Sequence, residues 1–412
     1  MKYFILIIVC TFFCNYLPAQ TGEATLFFSN PRAKNVVVPY ESANNLIIMP
    51  LQINDSDTLR FILDTGVRTA LITEIHVSDS LAIYDAKLID IQGLGEGITM
   101  QAYASAANTI NINGIIGTEQ KVNVLLEDVF HLSTKLGTTI HGLIGYDLFK
   151  DFIIEIDYYN ERLVFNKPEE YRYRDRRNSV TLPLKIIGYK PYVEVEIETV
   201  EGVKVPVLLL IDTGSSDALW LFENSAEGLK IPDNYIESYL GRGLNGDIYG
   251  KKTRIEKLFL NNFVIEKPTV SFPDSIYFQS LLQTAGRNGS IGAEIFRRFN
   301  VILDYPNNKI TFQKNSYFGE TFNYDMSGLE LATPYPGLPV FIISEVRQNS
   351  PAAEVGLLPE DQIMFVNNLS AGDLTLAYLT NLLRQKEGKK INLTVLRDGR
   401  MIKFEFKLKS FI

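Results

Sequence analysis

Two aspartates in this sequence share a setting: each ends an apolar run and precedes a Thr-Gly turn. Asp64 lies in FILDTGV at 61–67, and Asp212 lies in LLLIDTGSS at 208–216. An isolated buried carboxylate is strongly disfavoured, whereas two neighbouring carboxylates can share one proton. We therefore expect the two strands to bring Asp64 and Asp212 together as a proton-sharing pair.

A longer internal repeat surrounds these two aspartates. The segment HGLIGYDLFKDFIIEIDYYNERLVF at 141–165 matches NGSIGAEIFRRFNVILDYPNNKITF at 288–312. The copies are offset by 147 residues and the aspartates by 148, and each half has a predicted hairpin before its aspartate. Such self-similarity indicates duplicated units. We expect two homologous lobes over 23–165 and 180–313, joined by a charged linker at 166–179.

The N-terminus has the pattern of a processing segment. Lys2 is followed by an almost wholly apolar run that ends shortly before Ala19, which predicts a signal peptide over 1–19; an uncleaved anchor is the alternative. Both cysteines, Cys10 and Cys14, lie inside it. We therefore expect an exported bacterial protein, periplasmic or extracellular, without disulfides and without a membrane span after cleavage.

Composition and the remaining motifs narrow the function further. The 412 residues are 46% apolar with a net charge of −8, which fits a globular protein and argues against nucleic acid as a partner. The histidines His76, His131 and His141 form no H-E-x-x-H motif, so we predict neither metal nor cofactor. The absence of a G-x-S-x-G elbow argues against a serine hydrolase.

The paired Asp-Thr-Gly turns and the repeat resemble the aspartic protease superfamily, of the retropepsin and pepsin type. The resemblance implies a mainly β fold with two β-barrel lobes and a catalytic pair, Asp64 and Asp212, that activates a water molecule. Because one chain carries both aspartates, we expect a monomer, unlike viral relatives with one such turn per chain.

The resemblance also assigns supporting roles around the pair. Thr65 and Thr213 are expected to hydrogen-bond across its floor, and Gly66 and Gly214 to keep the turns tight. Ser215 is expected to donate its hydroxyl to Asp212. The first lobe departs from the family pattern here, because Val67 replaces the serine.

Glycine-rich segments follow each aspartate. They contain Gly93, Gly95 and Gly97 in the first lobe, and Gly243 and Gly246 in the second. The sequence alone allows plain hairpins, and the family resemblance favours flaps that close over a substrate.

The last part of the chain differs in character. After a linker at 314–327, SPAAEVGL at 350–357 and a predicted helix from a cap at Asp373 to about Lys386 resemble a PDZ domain of the bacterial protease-associated type, with α+β structure, over 328–412. We expect its peptide groove along five residues that lead into a strand, namely Gly337, Leu338, Pro339, Val340 and Phe341. Because Pro339 has no N–H, we expect little preference for free C-termini.

Together these features favour an exported aspartic endopeptidase that acts on polypeptide substrates and recruits them through its PDZ domain. The alternative is a catalytically inactive peptide-binding protein built from degenerate lobes and the PDZ domain. The intact Asp-Thr-Gly turn in both lobes favours the enzyme.

Overall fold

The computed structural model describes residues 24–92, 99–173, 178–243, 246–278 and 286–412. Strands dominate these residues and form four sheets, which confirms the mainly β prediction. The predicted signal peptide and the glycines of the first candidate flap, Gly93, Gly95 and Gly97, lie outside the described residues. Within the described ranges, no helix is long and apolar enough to cross a membrane.

The first lobe is built mostly from a nine-stranded sheet. The elements up to residue 166 are β1 (Phe27–Phe28), β2 (Asn35–Pro39), β3 (Glu41–Ala43), β4 (Leu46–Ile53), β5 (Leu59–Leu63), β6 (Ala70–Ile72), β7 (Lys87–Gln92), β8 (Thr99–Ile112), β9 (Ile115–Leu125), α1 (Leu132–Leu136), β10 (Gly142–Ile144), α2 (Tyr146–Phe149), β11 (Ile153–Asp157) and β12 (Arg162–Asn166). The strand order is β1-β9-β6-β10-β5-β4-β8-β7, with β3 on β4.

The centre of this sheet positions the first aspartate. Strand β5 ends one residue before Asp64 and runs parallel to β10, with Phe61 opposite Gly142. A Cβ at Gly142 would lie 2.2 Å from the carbonyl oxygen of Leu71. Only glycine therefore lets β10 pass between β5 and β6.

The second lobe repeats this arrangement in a ten-stranded sheet. Its elements are β13 (Ser179–Pro183), β14 (Lys185–Ile187), β15 (Lys190–Glu198), β16 (Lys204–Ile211), β17 (Leu219–Leu221), β18 (Ile236–Gly243), β19 (Gly246–Arg254), β20 (Lys257–Leu260), β21 (Phe263–Glu266), β22 (Thr269–Pro273), β23 (Gly289–Ile291), α3 (Ala293–Phe296), β24 (Phe299–Asp304) and β25 (Lys309–Lys314). Strand β16 ends before Asp212 and runs parallel to β23, with Leu209 opposite Gly289.

A six-stranded sheet joins the two lobes, in the order β13-β25-β24-β11-β12-β2. At its centre β11 of the first lobe pairs antiparallel with β24 of the second, with Ile153 opposite Asp304. One hydrophobic core runs through both lobes and includes Phe61, Phe165 and Phe312. The shared sheet and core fix the two aspartate-bearing strands relative to each other without a disulfide.

The C-terminal unit has its own sheet and core. Its elements are β26 (Leu329–Ala332), β27 (Phe341–Val346), α4 (Pro351–Glu354), β28 (Gln362–Val366), β29 (Leu369–Ser370), α5 (Leu376–Leu383), β30 (Lys390–Arg397) and β31 (Arg400–Lys407). The predicted helix begins later than expected: Thr375, rather than Asp373, caps α5 by accepting the N–H of Tyr378 at 3.1 Å.

The predicted peptide groove along Gly337, Leu338, Pro339, Val340 and Phe341 is wrong. These residues lead into β27, which is an interior strand paired with β26 on one side and β28 on the other. A strand with two partners has no free edge to which a peptide strand could add.

Among the described strands, the sheet ends instead at β26, whose one strand partner is β27, and β26 packs beside both α5 and α1 of the first lobe. A peptide strand would therefore be added along Leu329–Ala332. The loop that precedes this edge strand is 324–328, and the backbone N–H of Met326 in it already donates to the carbonyl oxygen of Leu383 at 3.1 Å.

The C-terminal unit packs directly on both lobes. The N–H groups of Thr333 and Gly337 donate to the carbonyl oxygens of Thr134 and Gly137 in the first lobe, at 2.9 and 3.1 Å. Ile236, at the start of β18 in the second lobe, is part of the C-terminal unit's own core.

Candidate active site

Asp64 and Asp212 converge where the two central strands end. A Cβ built on Gly214, in the turn after Asp212, would lie 2.4 Å from Cγ of Asp64. The carboxyl group of Asp64 thus lies against the backbone of the opposite turn, and the two aspartates interact electrostatically.

The two turns are cross-linked by their threonines. Thr65 N–H donates to Oγ1 of Thr213 and Thr213 N–H donates to Oγ1 of Thr65, both at 3.1 Å. Each hydroxyl then donates across the interface, Thr65 to the carbonyl oxygen of Ile211 at 2.6 Å and Thr213 to that of Leu63 at 2.7 Å. Both threonines are fully buried, so this pseudo-symmetric network holds the turns rigidly.

Asp64 has an environment that keeps it protonated. Burial and the charge of Asp212 raise the pKa of Asp64 to about 7, although the N–H of Gly66 donates to its Oδ1 at 2.7 Å. Because burial and the neighbouring charge outweigh this donor and the nearby Lys190, the neutral form of Asp64 is favoured.

Asp212 has the more polar environment. Burial raises its pKa, and this effect is opposed by Arg287, by Lys190 and by the N–H groups of Gly214 and Ser215. Asp212 is therefore the better site for the negative charge, and Asp64 for the shared proton.

The expected role of the Ser215 hydroxyl needs correction. Among the described residues, no hydrogen bond joins this hydroxyl to Asp212, and the backbone N–H of Ser215 faces the carboxylate instead. The asymmetry between the two aspartates comes from backbone donors and two cations rather than from a Ser/Val difference.

His141 and Asn288 occupy matching positions and do the same structural work. Nδ1 of His141 accepts the N–H of Arg60 at 2.9 Å, and Oδ1 of Asn288 accepts the N–H of Leu208 at 2.8 Å. Arg60 and Leu208 each stand four residues before an aspartate. The contact of His141 supports the strand that carries Asp64.

Hairpin tips cross between the lobes beside the aspartates. Nδ2 of Asn45, before β4, donates to Oε2 of Glu294 in the second lobe at 2.7 Å. At the matching position before β15, the ring of Tyr189 lies 3.6 Å from the guanidinium carbon of Arg68 in the first lobe. Each lobe therefore supports the turn region of the other.

The second candidate flap is the β18–β19 hairpin. Gly243 and Gly246 pair across its end. The side chain of Arg242 donates to the carbonyl oxygen of Val129, and Lys135 donates to the hydroxyl of Tyr239. The hairpin thus bridges from the second lobe to the first, and a flap role for it remains a prediction.

Two cations near the aspartates were not found by sequence reasoning. Lys190 begins β15, and Arg287 precedes β23. Their matching residues in the first lobe, Leu46 and Ile140, are apolar, so comparing the two halves of the repeat position by position would have marked them. Within the described ranges, no cluster of His, Cys, Asp and Glu could hold a metal ion.

Comparison with known families agrees with this architecture. The model of the family described as aspartyl protease matches residues 49–148 and 193–295, and that of the PDZ domain matches residues 310–408. No curated protein matches the chain significantly. The chain thus contains two aspartyl protease lobes in one polypeptide, followed by a PDZ domain.

Proposed function

We propose that this protein is an exported aspartic endopeptidase that works as a monomer, with Asp64 and Asp212 as its catalytic residues. The observation that carries the proposal is the meeting of the two carboxyl groups over a floor of reciprocal threonine hydrogen bonds. The raised pKa of Asp64, about 7, supports a singly protonated pair at mildly acidic to neutral pH.

The chemistry follows from the asymmetry of the pair. Ionised Asp212 takes a proton from a water molecule, whose oxygen attacks the peptide carbonyl carbon. Asp64 donates its proton toward the carbonyl oxygen as charge develops there. The tetrahedral intermediate collapses when the C–N bond breaks. Asp212 gives the proton that it took from water to the leaving nitrogen, and a hydroxyl of the intermediate returns a proton to Asp64, which regenerates the starting state without a covalent enzyme intermediate.

The PDZ domain would bind polypeptide along the free edge of β26, between that strand and α5. Its direct contacts with Thr134 and Gly137 place this edge beside the first lobe. Recruitment at this edge would bring polypeptide close to the cleft.

The test is digestion of a denatured protein mixture by the mature chain, read by mass spectrometry. Asp64→Asn and Asp212→Asn should each lower cleavage by about 10²–10⁴-fold, the usual contribution of a general acid–base group. Asp55→Asn, in an exposed turn, is the matched control and should cleave normally. Substantial activity in both catalytic variants would contradict the mechanism.

A second candidate function is peptide binding without cleavage. The observation that favours it is the bridging of the lobes by the β18–β19 hairpin through Arg242 and Lys135. Wild-type protein that binds unfolded polypeptide but yields no new termini at any pH between 3 and 8 would support it.

The proposed monomer has its own test. A specific activity that falls when the protein is diluted would contradict it.

A further inference from the structure

The residues around the two aspartates differ chemically between the lobes, although the lobes are repeats. Ile48 pairs with Ile62 in the first lobe, and Tyr192 pairs with Leu210 in the second. Ile62 and Leu210 each stand two residues before an aspartate. Ile48 and Tyr192 are therefore equivalent.

Counting along the chain from these equivalent residues identifies the positions at which the two lobes differ. Two residues before Ile48 is Leu46, whereas two residues before Tyr192 is Lys190. Ile140 precedes His141, whereas Arg287 precedes the equivalent Asn288. Two apolar residues of the first lobe are thus replaced by two cations in the second.

The first-lobe side is a closed apolar cluster. Leu46 and Ile140 are both buried there, with Ile62, Leu71 and other aliphatic side chains, and Val67 packs against them. A substrate side chain that approaches Asp64 from this side meets hydrocarbon.

The second-lobe side presents the two cations. Arg287 is 6% exposed, and its Nε has no hydrogen-bond partner. Its guanidinium lies 5.2 Å from the ring of Phe222 and is hydrogen-bonded to Tyr192. Lys190 is half-buried and interacts electrostatically with Arg287, Asp64 and Asp212.

The aspartate pair is the counter-charge of these two cations. Neither cation forms an ion pair within salt-bridge distance of a carboxylate among the described residues, and the nearby Arg287 disfavours the charge of Lys190. The singly protonated pair supplies one negative charge for two positive ones. Buried charges without partners are costly, so a further anion at this site would be stabilised.

We propose that Lys190 and Arg287 form a subsite that binds a carboxylate of the substrate next to the scissile bond, while the first-lobe side of the aspartates takes an apolar side chain. The inference rests on the proposed function and names its substrate class. The carboxylate belongs to an Asp or Glu side chain or to a free C-terminus close to the cut.

Matched peptides test this. One series carries Glu or Gln in turn at each position flanking the cut, and a second ends in a free acid or an amide there. Rates are measured at pH 5, which is below the pH at which Asp64 loses its proton. We expect wild type to prefer the acidic peptide about tenfold or more in kcat/KM, the worth of a charge-assisted hydrogen bond.

Variants assign the preference to the cations. In Lys190→Met the ratio of kcat/KM for the acidic and neutral peptides should fall towards one, and Lys190→Arg should restore it. Lys230→Met, an exposed lysine of the same lobe, is the control and should keep the wild-type ratio. If Arg287→Met does not fold, Arg287→Lys takes its place in the test. Arg287→Lys keeps the positive charge and should therefore retain part of the preference.

The outcomes separate this inference from the proposed function. Equal cleavage of acidic and neutral peptides by wild type overturns the subsite, as does a fall in both rates in Lys190→Met with an unchanged ratio. If no peptide is cut, the fluorescence anisotropy of labelled peptides is used to compare the binding of the acidic and neutral peptides. Tighter binding of the acidic peptide supports the subsite and contradicts the peptidase, and equal binding overturns the subsite.

Discussion

Gly214 of the second lobe supports the carboxyl group of Asp64 of the first, since a Cβ at Gly214 would lie 2.4–2.8 Å from Cγ, Oδ2 and Oδ1 of Asp64. The turn of the second lobe therefore confines the acid of the first lobe, which also accepts the N–H of Gly66 from its own turn.

Gly214→Ala should displace Asp64 and lower kcat by about 10²-fold, because a shift of this size misplaces a catalytic group. We also expect overpacking to lower the free energy of unfolding by about 1–3 kcal/mol. Gly319→Ala is the control, because its added Cβ would meet nothing within 4 Å. Wild-type kcat in Gly214→Ala would contradict the close approach of the two turns.

Thr213→Val should destabilise the protein. It removes the hydroxyl that accepts the N–H of Thr65 and donates to the carbonyl oxygen of Leu63, which leaves two buried backbone groups unpaired. We expect a loss of about 2–3 kcal/mol in urea unfolding. Thr213→Ser keeps the hydroxyl and should lose much less, and equal losses in both variants would show that the methyl group matters instead.

The pH dependence should report the proton on Asp64. The proposed mechanism requires the singly protonated pair, which is lost when that proton leaves, so kcat/KM should fall above a pH of about 7. Lys190 lowers the pKa of both aspartates. Lys190→Met should therefore move the alkaline limb of the pH–rate profile, where kcat/KM falls, to higher pH. We expect a shift of roughly 0.5–1 pH unit for the loss of one nearby charge.

Val67→Ser serves as a contrast in the same measurement. Because the hydroxyl of Ser215 does not bond to Asp212 among the described residues, a serine at the matching position should leave the alkaline limb in place. A shift of the alkaline limb to lower pH would show that the added hydroxyl reaches Asp64.

For Lys190→Met, the contradicting outcome is an alkaline limb that moves to lower pH, because this cation was expected to lower the pKa of both aspartates.

We still expect the PDZ domain to have little preference for free C-termini, but the reason is not the missing N–H of Pro339. In the loop before β26, the carboxylate of Asp325 accepts the N–H groups of Ser327 and Gly328 at 3.1 and 2.6 Å. These donors, which would face a terminal carboxylate, are thus already occupied by a carboxylate of the chain itself.

Asp325→Ala should free those N–H groups. Titration of matched free-acid and amidated peptides should show affinities within about threefold for the wild-type PDZ edge, and a preference for the free acid of about tenfold in the variant. Asp373→Ala, in a turn before α5, is the control. A strong free-acid preference in the wild type would contradict the occupied loop.

The sequence by itself determined the duplicated architecture and the positions of both aspartates. Strands β4 and β5, which form the predicted hairpin before Asp64, followed directly from it. These features are local or periodic: an apolar run, a Gly turn and a fixed offset are each readable along the chain. The family resemblance, in turn, supplied the pairing of Thr65 and Thr213.

Only the tertiary structure decided what lies beside those elements. It placed Lys190 and Arg287 next to Asp212, although they are nearly a hundred residues apart in the chain, and it assigned the free PDZ edge to β26 rather than β27. Which strand lies at an edge, and which charges surround a carboxylate, depends on contacts distant in sequence. Those contacts are set when the sheets pair and the lobes pack, because burial and mutual distance, rather than residue order, determine electrostatic energies.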